Sequence, residues 1–102
     1  MKITVFLAAA MAAFTAHAAD PGAALYAEKT CVACHGKDAK KPLTKSYPKI
    51  AGQNAAYLEQ QMTDIKSGAR ANGQSAAMKG VMHLVSDAEI KTLATYLSKL
   101  PS

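Results

Sequence analysis

Tryptophan is absent from this chain, and its two phenylalanines, Phe6 and Phe14, both stand near the amino terminus. Beyond them the aromatic set is Tyr26, Tyr47, Tyr57 and Tyr96. That is thin for a self-sufficient core in so short a chain, because small domains bury a marginal fraction of their surface and need a staple. Cysteine is limited to Cys31 and Cys34. A zinc site built on that pair would need a second pair of ligands, and no further cysteine exists. Long apolar runs are missing too: Ile3 to Phe14, interrupted only by Thr4, is too short to span a bilayer permanently. No Ser/His/Asp set, paired carboxylates or glycine-rich phosphate loop is present, so hydrolysis and group transfer have no sequence support.

Acidic residues are also in the minority, with 7 against 12 basic ones and a formal net charge of +5. Five of the lysines, Lys37, Lys40, Lys41, Lys45 and Lys49, fall within one short segment. Nucleic acid is a poor partner for such a segment, which lacks interleaved aromatics and any recognition motif. A basic rim that steers an acidic protein partner and a plain solvated loop are the two remaining readings.

The amino terminus reads as a secretory signal. Met1-Lys2 supplies a short positive start, the apolar run follows, and Ala16-His17-Ala18 fits a small-x-small cleavage site. Residues 1–18 are therefore expected to be removed, leaving one domain over 19–102 in an exported, periplasmic protein with no stable membrane insertion. His17 would leave with the signal.

What is present decides the chemistry. Cys31-Val32-Ala33-Cys34-His35 is the Cys-x-x-Cys-His signal for covalent attachment of a c-type haem. The two thiols form thioethers to the two vinyl groups, and the histidine that follows supplies an axial nitrogen to the iron. A redox disulfide is the competing reading, but such a dithiol normally sits in a strand-then-helix context, and no strand pattern is found here. One covalently bound haem c would also supply the apolar surface that the aromatic-poor core lacks.

The remaining segments read as helix or loop. Pro21-Gly22 opens a helix over Ala23 to about Thr30 that runs into the haem motif. Gly36 to Gly52 is rich in lysine and proline, without periodicity, and reads as loop. A second helix covers Ala55 to Ser67, with Leu58, Met62 and Ile65 as its stripe beside the stem of Gln61, and Gly68 as its C-cap. Ala69 to Val85 is a small-residue, glycine-containing stretch that holds Met78 and Met82 and reads as containing one short helical turn. Ser86-Asp87-Ala88-Glu89 is a capping box, followed by Ile90, Leu93, Ala94 and Leu97 at helical spacing and by Pro101 as a stop.

These residues resemble the class I c-type cytochromes over nearly all of the mature chain. The likeness is carried by Gly22 to Tyr26 before the haem motif and by Tyr47-Pro48-Lys49-Ile50-Ala51-Gly52-Gln53. It extends through Leu84 to Ile90 and Leu93 to Leu97, and is nearest to the half-domains of two-haem periplasmic cytochromes. The resemblance implies an all-α cytochrome c fold, three main helices and loops wrapped around one covalently bound haem. It implies that the terminal helices cross through small residues, with Ala23, Ala27 and Tyr96 the matching positions. It further implies a proline carbonyl that accepts from the imidazole of His35, with Pro48 the candidate and Pro42 a weaker one.

A methionine sulfur is the implied sixth ligand. Met78 is the candidate, since it stands eight residues before Ser86 in the run Met78-Lys79-Gly80-Val81 that the half-domains share. Met82 competes with it, Met62 reads as core, and His83 reads as solvated. Arg70, just past the second helix, reads equally as a partner of a haem propionate or as a solvated loop residue.

The function implied is electron transfer without catalysis: a soluble periplasmic carrier, monomer or weak dimer, docked at its haem edge by a donor complex and a terminal oxidase or reductase. The alternatives are a haem subunit of a periplasmic oxidoreductase complex and, less readily, a gas-binding haem sensor.

Overall fold

Asp20 starts the first helix, α1 (Pro21–Glu28), by accepting a hydrogen bond from the Gly22 amide at 2.7 Å, and Pro21 fills the first turn where its missing N–H costs nothing. The structure, a computed structural model, describes residues 20–102; the expected signal segment, residues 1–18, lies outside the described residues. The first helix ends earlier than the sequence suggests. Lys29 caps it, Thr30 adopts a left-handed conformation (φ 65°), and a separate short helix, α2 (Cys31–His35), follows. A β-branched residue rarely takes that conformation. Here it turns the chain so that Cys31 and His35, one helical turn apart on α2, are both buried.

The loop after α2 carries no helix or strand up to Asn54, and is tied back by amides of Leu43 to the Cys34 carbonyl and of Ile50 and Ala51 to the Ala39 carbonyl. Asn54 then caps α3 (Ala55–Ser67) through the Tyr57 amide at 3.0 Å, and Leu58, Met62 and Ile65 form its buried stripe. Gly68 ends α3 at φ 93°, which glycine adopts without a Cβ penalty.

The stretch that follows is more ordered than its composition suggests. Ser75–Met82 forms a two-turn helix, α4, rather than a single turn. Its local signals are weak, since Gln74 makes no side-chain cap bond; its contacts are mainly with α3, and tertiary packing supplies what propensity does not.

The last helix, α5 (Asp87–Ser98), carries the full capping box. Ser86 Oγ accepts from the Glu89 amide at 3.1 Å and Glu89 Oε1 accepts from the Ser86 amide at 2.9 Å. Ile90, Leu93, Ala94 and Leu97 are all buried. Both α1 and α3 pack on α5, and every regular element among the described residues is helical. The fold is all-α.

The crossing of α1 with α5 corrects one expectation. Ala27 is exposed and Ala23 only half-buried, so neither is the contact point. That point is Gly22, where a Cβ would collide with Cβ of Tyr96 and come within 3.0 Å of the Thr92 carbonyl. The close approach lets Tyr96 reach Tyr26, with ring centroids 6.0 Å apart and planes tilted by 50°. Gly22→Ala would gain about 0.5–1 kcal/mol of helix propensity. Overpacking costs about 1–3 kcal/mol and should win. The expected result is a midpoint of thermal unfolding lowered by about 5 °C or more, measured by circular dichroism on the haem-loaded protein.

Candidate functional site

The helices and the loop enclose one side of a cavity of about 270 Å³. A water molecule needs only about 10–15 Å³ of such space. The haem motif contributes Cys31, Cys34 and His35 to the lining, and the preceding residues Tyr26 and Thr30 adjoin them. From the loop come Ser46, Tyr47, Pro48 and Ile50; from α3 come Leu58, Gln61, Met62 and Ile65; from α4 come Ser75, Ala77, Met78 and Val81; from α5 come Leu93 and Leu97. Arg70 and the turn Asn72-Gly73-Gln74 complete it. A cavity of this size, with a mostly apolar wall, suits a large flat apolar group.

His35 is held in one orientation. Its Nδ1–H donates to the Pro48 carbonyl at 2.9 Å, so the acceptor is Pro48 rather than Pro42. That bond leaves the lone pair on Nε2, the form in which imidazole binds a metal. Burial pushes the imidazole below its ordinary pKa, with the Pro48 bond opposing in part, which keeps the ring neutral. Burial raises the Cys31 thiol, and Cys34 is half-exposed. Tyr26 braces the end of the motif: its hydroxyl donates to the Gly36 carbonyl at 2.6 Å, and burial raises its pKa.

The methionines separate cleanly. Met78 is half-buried on α4 and lines the cavity, whereas Met82, 1% exposed, is sealed in the core away from it. Met62 also lines the cavity, from the buried stripe of α3. His83 caps the end of α4, is exposed and does not reach the cavity. Among the described residues no three His, Cys, Asp or Glu side chains converge to hold a bare metal ion. The donors that face the cavity are instead a neutral imidazole and soft thioethers, with two thiols beside them. This donor set fits haem iron and its two thioether attachments.

Sequence reasoning missed the pairing of Arg70 with Gln61. Arg70 Nη1 donates to Gln61 Oε1 at 3.0 Å, and both line the cavity. Each residue was visible singly, but the reversal at Gly68 that joins them was not.

An all-α shell around a cavity that presents Cys-x-x-Cys-His defines a haem-attachment protein. The chain belongs to the cytochrome c family, whose model matches residues 19–101. It is 41% identical over 69 residues to cytochrome c-554(548) of Halomonas halodenitrificans, covering 68% of this chain and 82% of that protein. It is 40% identical over 84 residues to cytochrome c4 of Pseudomonas aeruginosa, covering 81% of this chain but 40% of that longer protein. The crystal structure of reduced cytochrome c4 from Pseudomonas stutzeri superposes with a TM-score of 0.69 at 31% identity, over 78% of this chain and 46% of that one. The chain thus spans most of the length of cytochrome c-554(548) and less than half of the c4 proteins. As a member of this family it carries covalently attached haem c and works as an electron carrier, not as an enzyme.

Proposed function

We propose that the protein is an exported, periplasmic single-electron shuttle, released from a signal segment at residues 1–18. When bound, the haem supplies one-electron Fe(III)/Fe(II) chemistry; the chain decides how tightly each state is held. His35 is assigned as the proximal ligand, fixed in tautomer and orientation by Pro48. Met78 is assigned as the sixth ligand, a thioether that favours the reduced state. The observation that supports this most is that His35, its Nδ1 engaged by Pro48, and Met78 line the same apolar cavity, while Met82 and His83 are absent from its lining. If His35 and Met78 both hold the iron, a bound haem would change oxidation state without taking up or releasing a ligand. That favours a carrier over a gas sensor.

The partner surface is assigned to the lysine-rich loop. Lys37, Lys41, Lys45 and Lys49 are exposed on the same segment whose Ser46, Tyr47, Pro48 and Ile50 line the cavity. Positive charge therefore sits on the segment that forms one wall of the cavity, where it would steer an acidic redox protein into a short-lived complex. No helix among the described residues is long and apolar enough to cross a membrane.

Stopped-flow electron exchange with an acidic redox protein tests the reading. The rate is expected to fall several-fold as ionic strength rises from about 0.01 to 0.15 M, over which the Debye length shrinks from about 30 to 8 Å. Changing all four exposed lysines to glutamine should flatten that dependence. A wild-type rate independent of salt would remove the docking assignment, and rapid carbon monoxide binding by the reduced protein would favour the sensor.

A further inference from the structure

Ala39 is fully buried in the lysine-rich loop, 0% exposed, yet its backbone is left-handed at φ 60°. Alanine meets a steric penalty there that glycine avoids, so its surroundings hold it in place. On one side its amide donates to the Gly36 carbonyl at 3.2 Å, and the same carbonyl accepts the Tyr26 hydroxyl at 2.6 Å. On the other, its own carbonyl accepts two amides, from Ile50 at 2.8 Å and from Ala51 at 3.0 Å. The left-handed turn thus sends that carbonyl across the loop to the segment after Pro48.

That segment carries the group that orients His35. Lys49 alone separates the Ile50 amide from the Pro48 carbonyl, which lies 2.9 Å from His35 Nδ1. Proline has no N–H with which to anchor itself. The nearest backbone bonds are that of the Tyr47 amide to the Thr44 carbonyl at 3.2 Å, inside its own turn, and the two that end on Ala39. The second pair ties Pro48 back to the turn that leaves His35, Gly36 to Ala39. A closed frame results, running from His35 through Ala39 to Ile50 and back through Pro48 to the imidazole.

We propose that Ala39 is a positioning residue for His35: its left-handed turn holds the Pro48 carbonyl on Nδ1–H and thereby sets the reduction potential. The inference rests on His35 being the axial ligand proposed above. A firm Nδ1–H bond makes the imidazole a stronger donor, which favours Fe(III). Opening the frame weakens that bond and favours Fe(II). Valine cannot follow this turn, since a β-branched residue is an outlier at such a φ and a fully buried site has no room for the larger side chain. Glycine takes the same turn without penalty.

The test is the midpoint potential of the haem-loaded wild type, A39V, A39G and M82A, together with hydrogen exchange of the reduced wild type followed by NMR. M82A controls for lost stability, since Met82 is buried in the core outside the cavity lining. A39V is expected to shift the equilibrium about threefold toward Fe(II), which at about 59 mV per tenfold for one electron raises the potential by about 30 mV. A39G is expected to restore the wild-type value. An A39V potential no higher than that of M82A, or an A39G potential as high as that of A39V, overturns the proposal. Should A39V take up no haem, the wild type decides. Its His35 Nδ1–H is expected to open to solvent with the same equilibrium constant as the Ile50 and Ala51 amides, and one that opens independently of both overturns the proposal. A ligated imidazole also has its ring protons shifted strongly upfield by the reduced haem. Without that shift His35 would lose its ligand assignment, while the shared opening would still decide whether Ala39 holds Pro48.

Discussion

Changing both Cys31 and Cys34 to alanine is expected to abolish covalent haem and, with it, the cooperative fold. The two thiols are the only anchors the chain offers, and they stand on a five-residue helix that has no side-chain cap of its own. Leaving the cavity of about 270 Å³ unfilled would forfeit the contacts of its whole lining. At about 24 cal/mol per Å³ of cavity, the penalty is of order 6 kcal/mol. Total stability of a domain is only about 5–15 kcal/mol, and a small one lies at the low end. Partial collapse of the walls would recover some of that cost. The collapsed state would still lack the aromatic bulk to rebuild a core, because Tyr26 and Tyr96 already serve the α1/α5 crossing. The check has two parts: haem staining of the denatured protein on a gel, and far-ultraviolet circular dichroism of the purified chain. No haem with most of the helical signal gone is the expected pair of results. A haem-free variant that kept its helicity and unfolded cooperatively would show that the protein shell stands alone. Single variants keep one thioether, and should retain haem at lower yield and with lower thermal stability.

The parts of this architecture that were readable in advance are those whose determinants are local. The capping box of Ser86 and Glu89 and the stripe Ile90, Leu93, Ala94 and Leu97 set α5 from one short window of sequence. Asn54, Leu58, Met62, Ile65 and Gly68 do the same for α3. The haem motif is equally local, because its meaning lies in the order and spacing of Cys31, Cys34 and His35. What escaped depends on contacts between segments. The break at Thr30 exists because α2 has to turn its buried face inward, and nothing in the residues Lys29-Thr30 announces a left-handed turn. Helix α4 lacks a side-chain cap and contains Gly80, so it owes its two turns to packing on α3. The close approach of α1 to α5 selects Gly22 over the neighbouring alanines for a reason visible only in three dimensions, the position of the Tyr96 side chain. The Arg70–Gln61 bond likewise needs the reversal at Gly68.

Replacing Met78 and Met82 one at a time should separate function from stability. Met78→Ala removes the thioether assigned to the iron, from a half-buried position on α4. The oxidised protein is expected to lose the sulfur-to-iron charge-transfer band, and the reduced protein to gain rapid carbon monoxide binding. The potential should fall, because a soft sulfur donor stabilises Fe(II) more than Fe(III). A tenfold shift in the redox equilibrium, about 59 mV, is the least expected from loss of the ligand. Met82→Ala acts elsewhere. Its side chain is 1% exposed, in the core cluster with Val85, Ile90 and Leu93, and outside the cavity lining. Truncating such a residue costs about 2–5 kcal/mol, while the band and the potential should remain close to wild type. Met62→Ala is the third arm, since Met62 also reaches the cavity. Between its buried neighbours Leu58 and Ile65 it behaves as core, and its loss should lower stability with the band retained. Should Met62→Ala lose the band and Met78→Ala keep it, the sixth ligand would come from α3, and α4 would serve only to close the cavity. Equal spectra in all three variants would mean that no methionine binds the iron. The stability cost of Met82→Ala would stand in either case, because it follows from burial alone.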